Sequence, residues 1–438
     1  MKSPESHSTE DLSEADAITP DRFHMEQPEP CAQPAPCGQP CTLKLGPERH
    51  SSVDLGALAR TAIMIEPVSR GSFTEQAEEL FAQLHCLACC REAHTPTSMM
   101  VFLRDAADEE ECQKIISARF GLKAPVVACV VQPPCSGAAL GVELWTVGGP
   151  GVEVKRYGPN VVSVEANDIR WVHVGGVCGD VTGPDEAHEE SAGAFRHLNE
   201  QLGLAGMDFG NVVRTWIYVN QITEGTDGRQ RYQELNRART DFFSEFNLCG
   251  KNRASWAPET IYPASTGIGT QGRKIVLNAV ALQSERPDVF FMPLENPQQI
   301  SSFEYHARYS PKTPKFARAM AIIQGHFVTT MVSGTASIVD QRTVHIGDVA
   351  KQTAQTIENI ERLIAADNFA NHNMPGVGAT LKDIAKLRVY VKHAEDYEKC
   401  REIVEEKLPK VPAIYLHADV CRPDLLVEIE AVAFSSLT

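Results

Sequence analysis

The chain has 438 residues and a formal net charge of −16, with 43% hydrophobic and 22% charged residues. That length exceeds one small domain and allows more than one core, in the composition range of soluble globular proteins. The acidic balance, with no Lys/Arg cluster, counts against nucleic acid and anionic membrane surfaces as partners, and no apolar run approaches the roughly 20 residues needed to span a bilayer.

Residues 1–50, which include EQPEPCAQPAPCGQPC, are rich in Pro, Ser, Glu and Gln. They hold too little apolar surface to offset the entropy of ordering and are expected to form a disordered tail. The polar start MKSPESHSTEDLSEADAITPDRF lacks the apolar stretch of a secretory signal, which predicts a cytoplasmic location. Thirteen cysteines scattered through a long chain favour reduced thiols over a disulfide framework. Cys86, Cys89 and Cys90 fall in a helical pattern with no second pair at zinc-site spacing, so no metal is expected.

From residue 51 the same order of elements recurs three times. Residues 51–155 show it faintly, with the helix FTEQAEELFAQLHCLACC, the strand SMMVFLRD, the helix DEEECQKIISARFG and the strand GVELWTV. Residues 156–290 repeat it with IRWVHVGGVCG, DEAHEESAGAFRHLNEQLGL, VVRTWIYV, GRQRYQELNRARTDFFSEF and KIVLNAVAL. After a connecting segment, 291–315, residues 316–438 give it most clearly: HFVTTMVSGTASIV, VAKQTAQTIENIERLIAADNF, IAKLRVYV, AEDYEKCREIVEEKL and LLVEIEAVAF. Phe102, Tyr218 and Tyr390 are expected at matching places in the central strands, and Glu143, Val276 and Glu428 at matching places in the last ones. Each unit is a mixed sheet covered by two helices on one face, an α+β arrangement. The bare faces need burial, and packing them together about a pseudo-threefold axis, sheets inward and helices outward, would complete the assembly within a monomer.

The final strand raises a chemical question. Val427, Ile429, Ala431 and Ala433 line one face, while Glu428 and Glu430 share the other. Burial and a neighbouring carboxylate both raise a carboxyl pKa, so such a pair can keep one member protonated as a general acid. An ion-paired or rim-exposed strand end explains the pair equally well. In YPASTGIGTQG and VSGTASIV, the small residues Ala264, Ser265, Thr266 and Gly334 allow a ligand close to the backbone, although tight hairpin geometry also accounts for them.

The βαβαβ order, with QTAQTIENIERL, DIAKLRVYV and a final EIEAVA, resembles the RidA (YjgF) family of trimeric imine deaminases. That family carries a substrate-gripping arginine before its final strand, where this chain has Ile414 and, in the middle unit, Tyr262. A more specific resemblance, from about residue 95 onwards, is to the chorismatases. It is carried by VVRTWIYVNQIT, RYQELNRAR, YPASTGIG, LENPQQISSFEY, VSGTASIV and ADVCRPDLLVEIE. The resemblance implies chorismate as substrate, no cofactor, Glu428 as the catalytic glutamate, and Arg214, Tyr218, Tyr232 and Arg239 as substrate-binding residues. It also implies that Cys421 and Gly334 bias the product towards 3-hydroxybenzoate rather than a dihydroxycyclohexadiene carboxylate. An imine deaminase and a non-catalytic ligand-binding pseudo-trimer are the rival readings. Trp216 and Tyr218 could equally be core, and helix arginines commonly pair with nearby acids.

Overall fold

Among the described residues the strands form one five-stranded sheet, two six-stranded sheets and a two-stranded one. The structure is a computed structural model that describes residues 49–90, 94–180, 187–225, 229–248, 250–259, 261–307 and 309–437. The expected tail lies outside these residues but for Arg49 and His50, and of Cys86, Cys89 and Cys90 only the Cys86 side chain is described.

The first sheet contains β1 (His50–Asp54), β2 (Ala59–Ile65), β3 (His94–Leu103), β4 (Val126–Val131) and β5 (Leu140–Gly148), in the order β1-β2-β5-β3-β4. Helices α1 (Phe73–Cys90) and α2 (Glu109–Phe120) accompany it. The second contains β6 (Glu153–Arg156), β7 (Val161–Ala166), β8 (Ile169–Cys178), β9 (Val212–Asn220), β10 (Ala264–Thr270) and β11 (Val276–Ser284), in the order β10-β9-β11-β8-β7-β6, with α3 (Ala187–Leu204) and α4 (Arg231–Phe243). The third is built from β12 (Val289–Leu294), β13 (Ala319–Gln324), β14 (Phe327–Ala336), β17 (Ile384–Val391), β18 (Ala413–His417) and β19 (Val427–Ser436), in the order β12-β13-β14-β19-β17-β18. Two short strands, β15 (Ile338–Val339) and β16 (Arg342–Thr343), follow β14, and α5 (Val349–Ile364), α6 (Ala366–Asn371) and α7 (Tyr397–Lys407) complete this part.

Each sheet holds one parallel pair: β3 with β4, β9 with β10, and β17 with β18. A helix bridges each pair, as a parallel crossover requires. Sheet pairing breaks between β5 and β6 and between β11 and β12, so β12 belongs to the third sheet.

Three cores lie between the sheets and their helices. In the third, Ile357, Ile360, Leu363 and Ile364 of α5 recur at helical spacing and meet Val427, Ile429, Ala431 and Ala433 of β19. Phe195, Leu198 and Leu202 of α3 do the same in the second, and Leu80, Phe81 and Leu84 of α1 in the first. The opposite sheet faces are also buried, in clusters that draw on all three sheets. Phe102, Tyr218 and Tyr390 come together in one such cluster with Met64, Ile268 and Leu416. Neighbouring parts are linked by backbone hydrogen bonds. Gln271 N donates to Val131 O at 2.9 Å, Gly269 N to Asp419 O at 2.8 Å, and Cys135 N to Tyr415 O at 2.9 Å.

Register corrects one expectation. Opposite Phe102, Tyr218 and Tyr390 stand Gly141, Val276 and Glu428, so Gly141 occupies the place assigned to Glu143. Glu143 instead corresponds to Asn278 and Glu430, one pleat further along. A shift of two residues keeps every side chain on its face, so alternation alone cannot distinguish the two alignments. A Cβ at Gly141 would meet Ile414 Cδ1 at 2.6 Å. Thus the isoleucine at the place of the RidA arginine packs against the glycine at the place of the acid.

Among the described residues no helix is long and apolar enough to cross a membrane. The seven cysteines whose state is described are free: Cys86, Cys112, Cys129, Cys135, Cys178, Cys400 and Cys421.

Candidate active site

The free edge of β10 faces β14 and β19, and the cleft between them collects most of the expected residues. Ser265 N donates to Ser333 Oγ at 2.8 Å, and Ala317 N to Pro263 O at 3.2 Å, which fixes the edge of β10 to the third sheet. A register irregularity between Val332 and Thr335 takes Ser333 and Gly334 out of the regular ladder. The Gly334 N–H then donates to the Thr266 hydroxyl at 3.0 Å. Bulges of this kind re-aim the chain next to functional groups.

Glu428 and Glu430 are both buried but have opposite surroundings. Glu430 accepts from Arg214 Nη2 at 3.0 Å, from Trp216 Nε1 at 2.9 Å and from the Thr266 hydroxyl at 2.6 Å. Lys386 Nζ and Arg388 Nη1 each lie 3.3 Å from it. Glu143 joins the same network, 2.6 Å from Arg388 Nε and 3.2 Å from Lys386 Nζ, and Arg388 Nη1 donates to the Tyr218 hydroxyl at 2.9 Å. Burial pushes Glu430 up, but Arg388, Lys386 and Arg214 together with the Thr266 hydroxyl overcome it and hold the carboxylate at about 2.

Glu428, two residues earlier, has no hydrogen-bond or ion-pair partner among the described residues. Burial and the charge on Glu430 push its pKa up to about 8, against weaker opposing pulls from Arg214 and Arg318. It is therefore a protonated acid at neutral pH. The two readings of the carboxylate pair divide between its members: the ion-pair reading fits Glu430, and the acid reading fits Glu428.

Arg214 donates to Thr215 O at 2.8 Å and to Thr266 Oγ1 at 2.5 Å, and lies 4.5 Å from the centre of the Trp216 ring. With the Glu430 contact added, its donors serve the protein. Tyr218 is likewise held by Arg388, and burial raises its pKa far above the usual phenol range.

Arg239 is different. It is 1% exposed, donates Nη2 to Asn236 Oδ1 at 2.5 Å, and is hydrogen-bonded to the Tyr232 hydroxyl. Its Nε has no partner, and no carboxylate pairs with it among the described residues. Tyr232, two turns back on the same face of α4, also closes over β10, where a Cβ at Gly267 would meet its Cε2 at 3.0 Å. Ser265 Oγ accepts from Thr215 Oγ1 at 2.8 Å, while Ala264 joins the apolar cluster with Trp171 and Met320. The Cys421 thiol is pushed up to about 12 by burial and then by Glu428, so it is a protonated thiol and not a thiolate nucleophile.

Sequence reasoning missed Arg318. This guanidinium is 5% exposed, donates Nη2 to Ile300 O at 3.1 Å and to the Tyr305 hydroxyl, and leaves its Nε without a partner. Arg318 and Arg239 both pack on the Phe316 ring, at 5.3 and 5.8 Å from its centre. Arg422, next to Cys421, lies 4.4 Å from the Tyr309 ring centre and 5.2 Å from that of Tyr305. Tyr305 and Tyr309 come from the segment expected to be a connector. The signal was an aromatic- and arginine-bearing stretch without regular periodicity, since long ordered loops in a rigid frame often carry function.

Comparison with known proteins agrees with this architecture. Residues 143–281 match the family model described as chorismatase FkbO/Hyg5-like, N-terminal, and residues 312–435 match endoribonuclease L-PSP. A 3-hydroxybenzoate synthase of Streptomyces hygroscopicus is 35% identical over 250 residues, covering 56% of this chain and 69% of the relative. A chorismatase of Streptomyces rapamycinicus is 34% identical over 247 residues, covering 55% and 69%. The crystal structure of a chorismatase superposes with a TM-score of 0.61 at 23% identity, covering 87% of this chain and all of the other, and so shares its fold.

Proposed function

Because the chain belongs to the chorismatase family, we propose that it cleaves chorismate to pyruvate and 3-hydroxybenzoate. The observation that carries this reading is the pairing of a protonated Glu428 with two buried guanidiniums, Arg239 and Arg318, that make no ion pair with a carboxylate among the described residues, Glu295 acting on Arg318 only at longer range. Chorismate brings two carboxylates and an acid-labile enol ether to such a site. Arginine suits each carboxylate through its planar fork. Glu428 donates its proton to the enolpyruvyl methylene, giving an oxocarbenium ion. Capture by the ring hydroxyl in place of water, which gives up its proton, closes a cyclic ketal. Loss of a ring C–H proton with cleavage of that oxygen's ring C–O bond aromatises the ring, and the hemiketal alkoxide so formed collapses to pyruvate and a phenolate that takes up the hydroxyl's proton. No water or cofactor is consumed, and the proton lost from the ring restores Glu428.

Arg214, Tyr218 and Thr266 then act behind the substrate: Arg214 and Thr266 hold Glu430 directly and Tyr218 holds Arg388 beside it, while burial and then the charge of Glu430 keep Glu428 protonated. Cys421 and Gly334 shape the wall that favours internal capture.

Three units closed into a ring account for this single cleft. In support, β4 lies against β8, β10 against β14 and β18 against β2, in cyclic order. Among the described residues, the contact of β10 with β14 brings together a protonated acid and two guanidiniums short of a partner. A monomer is then competent, and its free cysteines suit the cytoplasm.

The test is incubation of the purified chain with chorismate and chromatography of the products. Pyruvate with 3-hydroxybenzoate, lost in Glu428→Gln, supports the proposal. Pyruvate with a non-aromatic diol moves it to the hydrolytic branch, and turnover of an imino acid with none of chorismate sinks it.

A further inference from the structure

A second cavity lies apart from Glu428, enclosing about 630 Å³ of space with its open mouth included. It is lined from all three sheets, by Arg60, Trp145, His173, Trp216 and Lys386 among others. Most of the wall is apolar, with Met99, Met100, Val126, Val280, Met331 and Val432.

Arg60 is the feature that needs a partner. It is 5% exposed and sits between two indoles, 5.0 Å from the Trp145 ring centre and 4.8 Å from that of Trp171. Its Nη1 has no hydrogen-bond partner, and no carboxylate pairs with it among the described residues. Burial lowers its pKa only to about 10, so it remains a cation. An unpaired buried donor on a charged group is costly, and stacking on indoles does not satisfy it. Lys386 and Arg388 also line the cavity, but Glu143 and Glu430 already neutralise them. His173, opposite, is neutral, because burial and then Arg60 hold it at about 3. Its imidazole makes no hydrogen bond among the described residues.

We propose that this cavity binds a small aromatic monocarboxylate, with the carboxylate on Arg60 and the ring among Trp145, Trp216 and the methionines. One unpaired cation, beside Lys386 and Arg388 that Glu143 and Glu430 already pair, on a largely apolar wall suits one carboxylate on one ring, and suits a phosphate poorly. The cavity shares Lys386 and Arg388 with Glu430, so a ligand here touches the network that sets the charge beside Glu428. Binding at the two places is then energetically linked.

Benzoate is the probe, titrated into the full-length protein while tryptophan fluorescence and heat are followed. Saturable binding is expected, weakened at least tenfold by Arg60→Met and retained in Arg239→Met. Ser98→Phe, placed at a half-buried lining position, is expected to abolish binding with the fold intact, and serves if Arg60→Met fails to fold. Absence of saturable binding up to about 10 mM benzoate overturns the proposal. So does binding that survives both Arg60→Met and Ser98→Phe but disappears in Arg239→Met, since that ligand would occupy the Glu428 cleft.

Discussion

A Cβ placed on Gly334 would lie 2.0 Å from Oε1 of Glu428 and 2.9 Å from its Cδ. The glycine is needed for space and not for backbone freedom, because any side chain there must displace the carboxyl group. Thr266 stands on the same side, 3.1 Å from that Cβ position, and limits where the carboxyl group can go. Gly334→Ala is therefore expected to lower kcat for chorismate at least tenfold, with a change in the ratio of aromatic to diol product. The melting temperature should move little, since the obstacle is the far end of one side chain. Unchanged kcat and product ratio would show that the carboxyl group has another working position.

The pH dependence follows from the same residue. Glu428 must be protonated to act, and its pKa is about 8. The expected kcat profile is level below neutrality and falls with one proton above about pH 8. Its folded pKa lies above the ordinary carboxyl range, so its contribution to stability is complete below about pH 4 and is lost as pH rises through 8. Glu430 and Glu143, both held at about 2, act oppositely: their contributions are present above about pH 4 and are lost as pH falls through 2. Denaturant titrations at a series of pH values should show both flanks, and Glu428→Gln should reduce only the alkaline one, leaving the share of Glu295, which burial raises to about 7.

How much of this was legible in the sequence depends on the range of the cause. The helices and strands were, because α5 and β19 carry their faces in local spacing. The burial of Glu428 was as well, through its place on a strand with one apolar face. Its distinction from Glu430 was not. That depends on Arg214, Lys386 and Arg388, which lie on two other strands and up to 216 residues away. The same distance hid the partner of Arg214: its motif marks it for substrate binding, and only the fold shows that it faces Glu430. Arg318 was hidden for a different reason, since an irregular segment gives no face from which to infer direction.

The buried network makes its own prediction. Glu143, Lys386 and Arg388 are each no more than 2% exposed, so their charges depend on one another. Replacing Glu143 by Gln leaves Lys386 and Arg388 short of one counter-charge in a dry interior. A destabilisation of about 3–5 kcal/mol is expected from denaturant unfolding. Glu430→Gln should destabilise similarly and, by removing the anion beside Glu428, move the alkaline limb of the kcat profile to lower pH. Loss of stability without that pH shift would separate the network from catalysis.

The two guanidiniums on Phe316 give the sharpest test of substrate recognition. Arg239 and Arg318 are buried, unpaired with any acid among the described residues, and short of a partner at Nε. A lysine at either place keeps the charge but loses the planar fork and its stacking on the ring. Losing one charged hydrogen bond costs roughly 1.5–3 kcal/mol, which corresponds to about a 10- to 150-fold change. Arg239→Lys and Arg318→Lys are each expected to lower kcat/KM for chorismate by that factor, mainly through KM if the carboxylate contact is the same in ground and transition states. The alkaline limb should stay near pH 8 in Arg239→Lys, because Arg239 is not among the charges that set Glu428. Arg318 is, but a lysine keeps its charge, so the limb should stay near pH 8 in Arg318→Lys as well while KM rises. If neither substitution changed KM, the carboxylates of the substrate would have to lie elsewhere in the cleft.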